Sequence, residues 1–303
     1  MYNQQQGQVV QGRVIQGQII ASAPPMNQGQ AQPPNFDDYR LAKLKAFCTR
    51  HEVNVNTVVK LRKLEEFEIV CVCDDSGSMA TPIDTDSTDP YAKRMTRWDQ
   101  LCETMTLILE LATCLDKDGV DIYFMNRQPL YNVTSVDQVR TIFQMQPEGY
   151  TPTVRTLTEV FNHKASVLAE RKLLMILATD GQPTDDYGNV QLQQFVSFIK
   201  NKPKNLYLSI VACTEDESAV DYLDGFIENK YPNLDVSEDY QCERAEVRKK
   251  TGKAFTFGDY VCKIMLGPVD PSFGDAGLFS PPPAARANAG RPRKQDDGCC
   301  IIN

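Results

Sequence analysis

Between residues 66 and 268 the chain switches repeatedly between two hydrophobic rhythms. Short apolar runs at Phe67–Cys73, Val120–Met125, Leu173–Ala178 and Leu206–Ala212 read as strands buried on both faces. The segments between them follow a 3.6-residue period. Arg97–Leu115 is the strongest, with Leu101, Met105, Ile108, Leu109, Ala112 and Leu115 on one face. Helices are also predicted over Val136–Phe143, Val154–Ala165, Val190–Ile199 and Ala219–Ile227. Pro129–Val133 reads as a short edge strand, and Phe255–Phe257 as a last short strand leading into a helix over Tyr260–Leu266. Strands separated by full helices favour right-handed crossovers. The pattern therefore predicts an α/β fold, a doubly wound and mostly parallel sheet flanked by helices.

Outside this span the rhythm fails. Residues 1–36 are rich in Gln, Gly and Pro, with isolated Val-Val and Ile-Ile pairs, and are expected to form a disordered tail. Residues 37–65 predict a short helical lead-in of two helices, the second carrying Val55, Val58, Val59 and Leu61, placed over an edge of the domain. Residues 269–303 form a Pro/Ala/Arg tail expected to behave as a flexible linker.

Charge is distributed unevenly along the 303 residues. Of the formal −8, Arg13 gives the first 35 residues +1 and residues 281–303 contribute +2, so the stretch between carries −11. An acidic body repels phosphate backbones, which argues against a general nucleic-acid role. The polar start of the chain does not resemble a secretory signal, and no apolar stretch is long enough to span a bilayer. The ten cysteines include Cys71 and Cys73 in a buried-type strand, and Cys102 and Cys114 in an amphipathic helix pattern. Small buried thiols in a reducing cytosol are the expected state, and paired Cys-x-x-Cys units that would signal a zinc module are missing.

The candidate chemistry lies in three loops. The first strand runs into Asp74-Asp-Ser76-Gly-Ser78, where alternate residues can aim oxygens at one point. Gly149-Tyr-Thr151-Pro-Thr153 adds a hydroxyl, and Thr179-Asp180-Gly181 adds a carboxylate at the end of the strand Leu173–Ala178. In a doubly wound sheet the carboxyl ends of strands form the binding crevice. If these two strands are neighbours, Asp74 and Asp180 converge. The motif segments hold no lysine or arginine, and Lys93 and Arg94 lie beyond the polar Thr81–Ala92 loop, so a divalent cation is the expected countercharge. Hard oxygens in this number suit Mg²⁺, with Asp74, Ser76, Ser78, Thr151 and Asp180 as ligands and one position open. Asp75 is expected to be solvated or to support the ligands from behind, Thr153 to orient its turn, and Pro152 to fix its own φ. Taken alone, Asp-x-Ser-x-Ser also fits a simple capping turn.

Catalysis has weaker support. A serine nucleophile needs a base, and the only histidines are His51, ahead of the domain, and His163, in the helix after the Thr151 loop. A glycine-rich phosphate loop with a lysine is missing as well. The expectation is a protein that is not an enzyme.

In their order and placement these motifs resemble the von Willebrand factor type A domain, or integrin I domain, over about residues 66–268. The resemblance implies a metal-ion-dependent adhesion site. The counterparts of Ser76, Ser78 and Thr151 would coordinate Mg²⁺ or Mn²⁺, and those of Asp74 and Asp180 would bind directly or through water. A partner protein's Glu or Asp would supply the last bond. It also implies a short antiparallel edge strand, which suits Pro129–Val133. The long Thr81–Ala92 insertion, with Asp84, Asp86 and Asp89, departs from that pattern and bears on the class of partner. Thr96-Arg-Trp-Asp-Gln and Leu115-Asp-Lys-Asp-Gly-Val-Asp-Ile-Tyr-Phe are similar to intracellular members from lower eukaryotes. Neither the RING of ubiquitin-ligase relatives nor the C2 domains of copine-like ones is visible. The alternatives are a scaffold whose metal only ties loops together and, less favoured, a metal-assisted phosphohydrolase.

The ending Cys300-Ile-Ile-Asn303 has the form of a prenylation box, with an unusual final Asn. Cys299 offers a second lipid site, and Arg291, Arg293 and Lys294 offer attraction to an anionic membrane surface. The expected location is the cytoplasm, partly attached to the cytoplasmic face of a membrane.

Overall fold

A computed structural model describes residues 36–54, 56–83, 94–115, 118–229 and 231–273. Six strands form one sheet in the order β3-β2-β1-β4-β5-β6. They are β1 (Phe67–Cys73), β2 (Val120–Phe124), β3 (Leu130–Val133), β4 (Lys172–Thr179), β5 (Leu206–Ala212) and β6 (Leu234–Ser237). All neighbours run parallel except β2 and β3, which pair antiparallel at the edge. The doubly wound α/β expectation is therefore met, and β3 is the short antiparallel edge strand.

The alternation of side chains along each strand divides the apolar residues between two cores. On β1, Phe67, Ile69, Cys71 and Cys73 face one side and Val70 and Val72 the other. On β4 the same split separates Leu174, Ile176 and Ala178 from Leu173, Met175 and Leu177. The first core is covered by α1 (Phe36–Arg50), α2 (Asn56–Leu61), α3 (Arg97–Leu115), α4 (Val136–Phe143) and, near the C-terminal end of the described residues, α11 (Phe257–Leu266). The second is covered by α5 (Thr153–His163), α6 (Ala165–Glu170), α7 (Leu192–Asn201) and α9 (Asp224–Asn229). A single turn, α8 (Glu217–Val220), precedes α9, and α10 (Tyr240–Thr251) precedes α11.

The two ends of the domain add to the expected pattern and correct it. In the helices of residues 37–65, Leu44, Phe47, Val58 and Leu61 are buried in the first core, while Val59 is exposed. Val55 lies outside the described residues. Phe255–Phe257 is not a strand, because Thr256 and Asp259 form a capping box that starts α11 at Phe257. The true last strand is β6, hydrogen-bonded to β5 with Val236 opposite Ile210. Its two apolar residues give little signal. Helix α10 was also unanticipated. It buries little besides Val247, so it lacks a periodic stripe, yet Asp239 caps its start and left-handed Gly252 (φ 69°) its end.

The eight cysteines among the described residues are free thiols. Among the described residues no helix is long and apolar enough to cross a membrane. Residues 1–35, the Asp84, Asp86 and Asp89 segment, and the tail with Arg291, Arg293, Lys294, Cys299 and Cys300 lie outside the described residues.

Candidate metal centre

The chain reverses its direction of travel across the sheet between β1 and β4. From β1 it goes outward to β2 and β3, then returns to β4 on the other side. This is the switch point at which crevices open in doubly wound sheets. Cys73 lies opposite Ala178 in the ladder, so the loops after both strands start side by side. The Asp74 N–H extends the pairing by donating to the Ala178 carbonyl at 2.9 Å.

Asp74 then turns the chain. Its Oδ1 accepts the Ser76 N–H at 2.9 Å, a local bond that competes with continued strand, and its Oδ2 accepts the Thr179 hydroxyl at 2.7 Å. A short 3₁₀ turn follows, anchored by buried Met79. The Ser76 and Ser78 hydroxyls lie 3.0 Å apart, and Ser78 Oγ donates to Asp180 Oδ1 at 2.8 Å. Four of the five expected ligands are thus joined in one network spanning the ends of β1 and β4. Asp74, Ser76 and Asp180 are buried, whereas Ser78 is exposed and gives the cluster an open side.

The loop that carries Thr151 is tied to the serine turn through its backbone. Gly149 accepts from Gly77 N–H at 3.1 Å, and Glu148 N–H donates to the Asp75 carbonyl at 2.8 Å, lacing its loop to the serine turn. Thr184 N–H donates to the Thr151 carbonyl at 2.8 Å, and Thr184 Oγ1 accepts the Thr151 N–H at 3.1 Å. These bonds fix the loop and leave the Thr151 hydroxyl outside them. Gly149 is required here: its φ is 99°, and a Cβ would stand 2.6 Å from Asn126 Oδ1. Thr153 behaves as expected, its hydroxyl donating to the Thr151 carbonyl at 3.2 Å as α5 begins.

Asp75 does not face solvent. It is fully buried, accepts the Asn126 N–H at 2.8 Å, and lies 3.2 Å from Arg127 Nε, close enough for an ion pair but not aligned as a hydrogen bond. Burial raises its carboxyl above the ordinary range, and the bonds from Asn126 and the charge of Arg127 pull the other way. A second correction concerns countercharge. Arg97, the first residue of α3, places Nη1 2.9 Å from Asp180 Oδ2. The cluster therefore has protein cations nearby, brought in from elements remote in sequence. Of these only Arg97 belongs to a motif visible in the sequence, the Thr96-Arg-Trp-Asp segment.

Two carboxylates still crowd the centre. Burial first, and then the charge of Asp180, push the Asp74 carboxyl from 3.8 to about 7, against the lowering effect of bonds from Ser76 and Thr179. Such a pair favours an added positive charge. The donor set is made of oxygen alone. The nearby Cys73 and Cys213 thiols are driven well above their usual range by burial, so neither offers a thiolate. Among the described residues no group of three or more His, Cys, Asp or Glu is gathered as a metal site. The set gathered here, two carboxylates with the Ser76 and Ser78 hydroxyls, is of a different kind. It fits Mg²⁺ or Mn²⁺ and not zinc.

His51 Nε2 lies 3.1 Å from Glu110, and His163 Nδ1 lies 3.3 Å from the Tyr123 hydroxyl. Neither histidine is hydrogen-bonded to Ser76 or Ser78, so no serine–histidine pair is assembled among the described residues. Neither a protein-family model nor a curated protein sequence matches the chain.

Proposed function

We propose that residues 66–268 form a von Willebrand factor type A-like module that binds a partner protein through a divalent cation, without catalysing a reaction. The observation that carries this reading is the oxygen network Ser76–Ser78–Asp180, with Asp74 beside it, at the β1/β4 switch point. Mg²⁺ or Mn²⁺ would be held by Asp74, Ser76, Ser78, Thr151 and Asp180. A bound cation supplies a Lewis-acidic position that an incoming carboxylate can occupy. The chain's own part is to hold the hydroxyls in place, keep water from the buried carboxylates, and leave one side open at Ser78.

The test is capture of partners in Mg²⁺ against EDTA. Proteins retained by the wild-type domain in Mg²⁺ should be lost in EDTA and lost again with Thr151→Ala. The same partners under every condition would favour a scaffold in which a cation only ties loops together. Turnover of a phosphate ester that disappears with Asp180→Ala would overturn the non-enzymatic reading.

The tail adds a proposed location, the cytoplasmic face of a membrane. Arg291, Arg293 and Lys294 are partly offset by Asp296 and Asp297. Each basic group contributes only about 1 kcal/mol near an anionic surface, so lipid must supply most of the attachment. Intact-mass analysis of the native C-terminal peptide should find Cys300 prenylated and Ile301–Asn303 removed. A free thiol with Asn303 intact would return the protein to the soluble cytoplasm. Cys300→Ser should release the protein from membranes completely, and Cys299→Ser only in part.

A further inference from the structure

Arg97 holds one oxygen of Asp180 at 2.9 Å while Ser78 holds the other at 2.8 Å. The Arg97 side chain is 15% exposed and that of Asp180 is 0% exposed, so mobile ions screen the pair weakly. Its origin is fixed too. The Arg97 N–H donates to the Thr81 carbonyl at 3.0 Å. Thr96 and Asp99 cap the helix reciprocally, with Asp99 Oδ2 accepting from the Thr96 N–H at 2.9 Å and Asp99 N–H donating to Thr96 Oγ1 at 3.1 Å. Trp98, next along, is buried, stacked on Phe143 at 4.0 Å, and donates to the Phe143 carbonyl at 2.9 Å. A guanidinium anchored so firmly stays at high effective concentration beside Asp180.

We propose that Arg97 is a tethered cation that competes with the divalent ion for Asp180 and so sets the affinity of the site. The proposal rests on the metal reading above and adds its regulation: the centre fills only when the free divalent cation outcompetes an internal charge. Exposed Asp216 gives the guanidinium another anion to turn to. That carboxyl is held low first by hydrogen bonds from Ser218 and, more weakly, by the charge of Arg97 itself. Competition therefore need not leave Arg97 without a counterion when a cation takes Asp180. Two positive groups sharing one buried carboxylate repel each other, and even at an effective dielectric near 20 that repulsion amounts to more than a factor of ten in binding.

Calorimetric titration of the full chain with MgCl₂ tests this with the metal alone as probe. Arg97→Gln keeps a donor for Asp180 but removes the charge, and should bind Mg²⁺ at least about tenfold tighter than wild type. Arg97→Lys keeps the charge and should bind within about threefold of wild type. If Arg97→Gln folds only with metal present, its melting temperature followed through a MgCl₂ series gives the same answer, with half-saturation below the wild-type concentration. Equal or weaker binding by Arg97→Gln overturns the competition while leaving the metal site standing. Failure of all three proteins to bind would remove the site itself, and the competition with it.

Discussion

Asp74→Asn should abolish Mg²⁺ binding and leave the fold intact. The asparagine Oδ1 can still accept the Ser76 N–H, and the Thr179 hydroxyl can rotate to accept instead of donate, so the turn after β1 keeps its bonds. What disappears is a charged oxygen ligand, and an affinity loss of about 100-fold or more is expected by calorimetry. Metal-free stability should move the other way, because Asp74 is desolvated and faces Asp180. The sign follows from its carboxyl standing at about 7 in the fold against 3.8 in the open chain. Between those values the folded state holds a proton that the unfolded state lacks, so this group favours folding at low pH and opposes it above 7. The cost above pH 7 is of the order of 4 kcal/mol. Asp74→Asn should therefore melt higher than wild type in EDTA at pH 8, with the advantage shrinking as pH falls toward 4. Wild-type Mg²⁺ affinity should fall by about tenfold per unit below pH 7, since one proton competes with the metal. A variant that binds Mg²⁺ as wild type does would remove Asp74 from the site.

Arg127→Ala should be the most damaging single change to the loops that carry the ligands. Its guanidinium pairs with fully buried Asp75, donates to the Met145 carbonyl at 3.3 Å and to that of Gln146, and lies 5.2 Å from the Trp98 ring. Removing one partner leaves a buried charge unpaired, at a cost of about 3–5 kcal/mol. Asp75→Asn in the same chain should recover part of that loss, because the stranded charge is gone while the Asn126 N–H keeps an acceptor. Urea unfolding of the two single variants and the double one measures the coupling. A loss below about 1 kcal/mol for Arg127→Ala would show that Asp75 is stabilised by other means.

The sequence made the central strands legible because they are buried on both faces and read as unbroken apolar runs, β1 and β4 most clearly. The grouping of Asp74, Ser76, Ser78 and Asp180 was legible as well, because the first three alternate along one short turn and Asp180 follows a strand. The edge was harder. With only Leu234 and Val236 to show, β6 resembles a loop, and α10 lacks a continuous apolar stripe. The counterions were hidden for another reason. Arg97 and Arg127 lie over 80 residues from Asp180 and about 50 from Asp75, and only the strand order brings them together. Arg97 and Arg127 supply positive charge to Asp180 and Asp75 from within the chain.

The central claim is that the β1/β4 crevice binds a divalent cation through hydroxyls and carboxylates. Anomalous scattering from crystals of the protein grown in MnCl₂ tests it most directly. One manganese peak is expected, bonded to the Ser76 and Ser78 hydroxyls, with Asp74, Thr151 and Asp180 around it directly or through water. A crevice without a peak at saturating MnCl₂, with the Arg97–Asp180 pair still closed over it, would contradict the account.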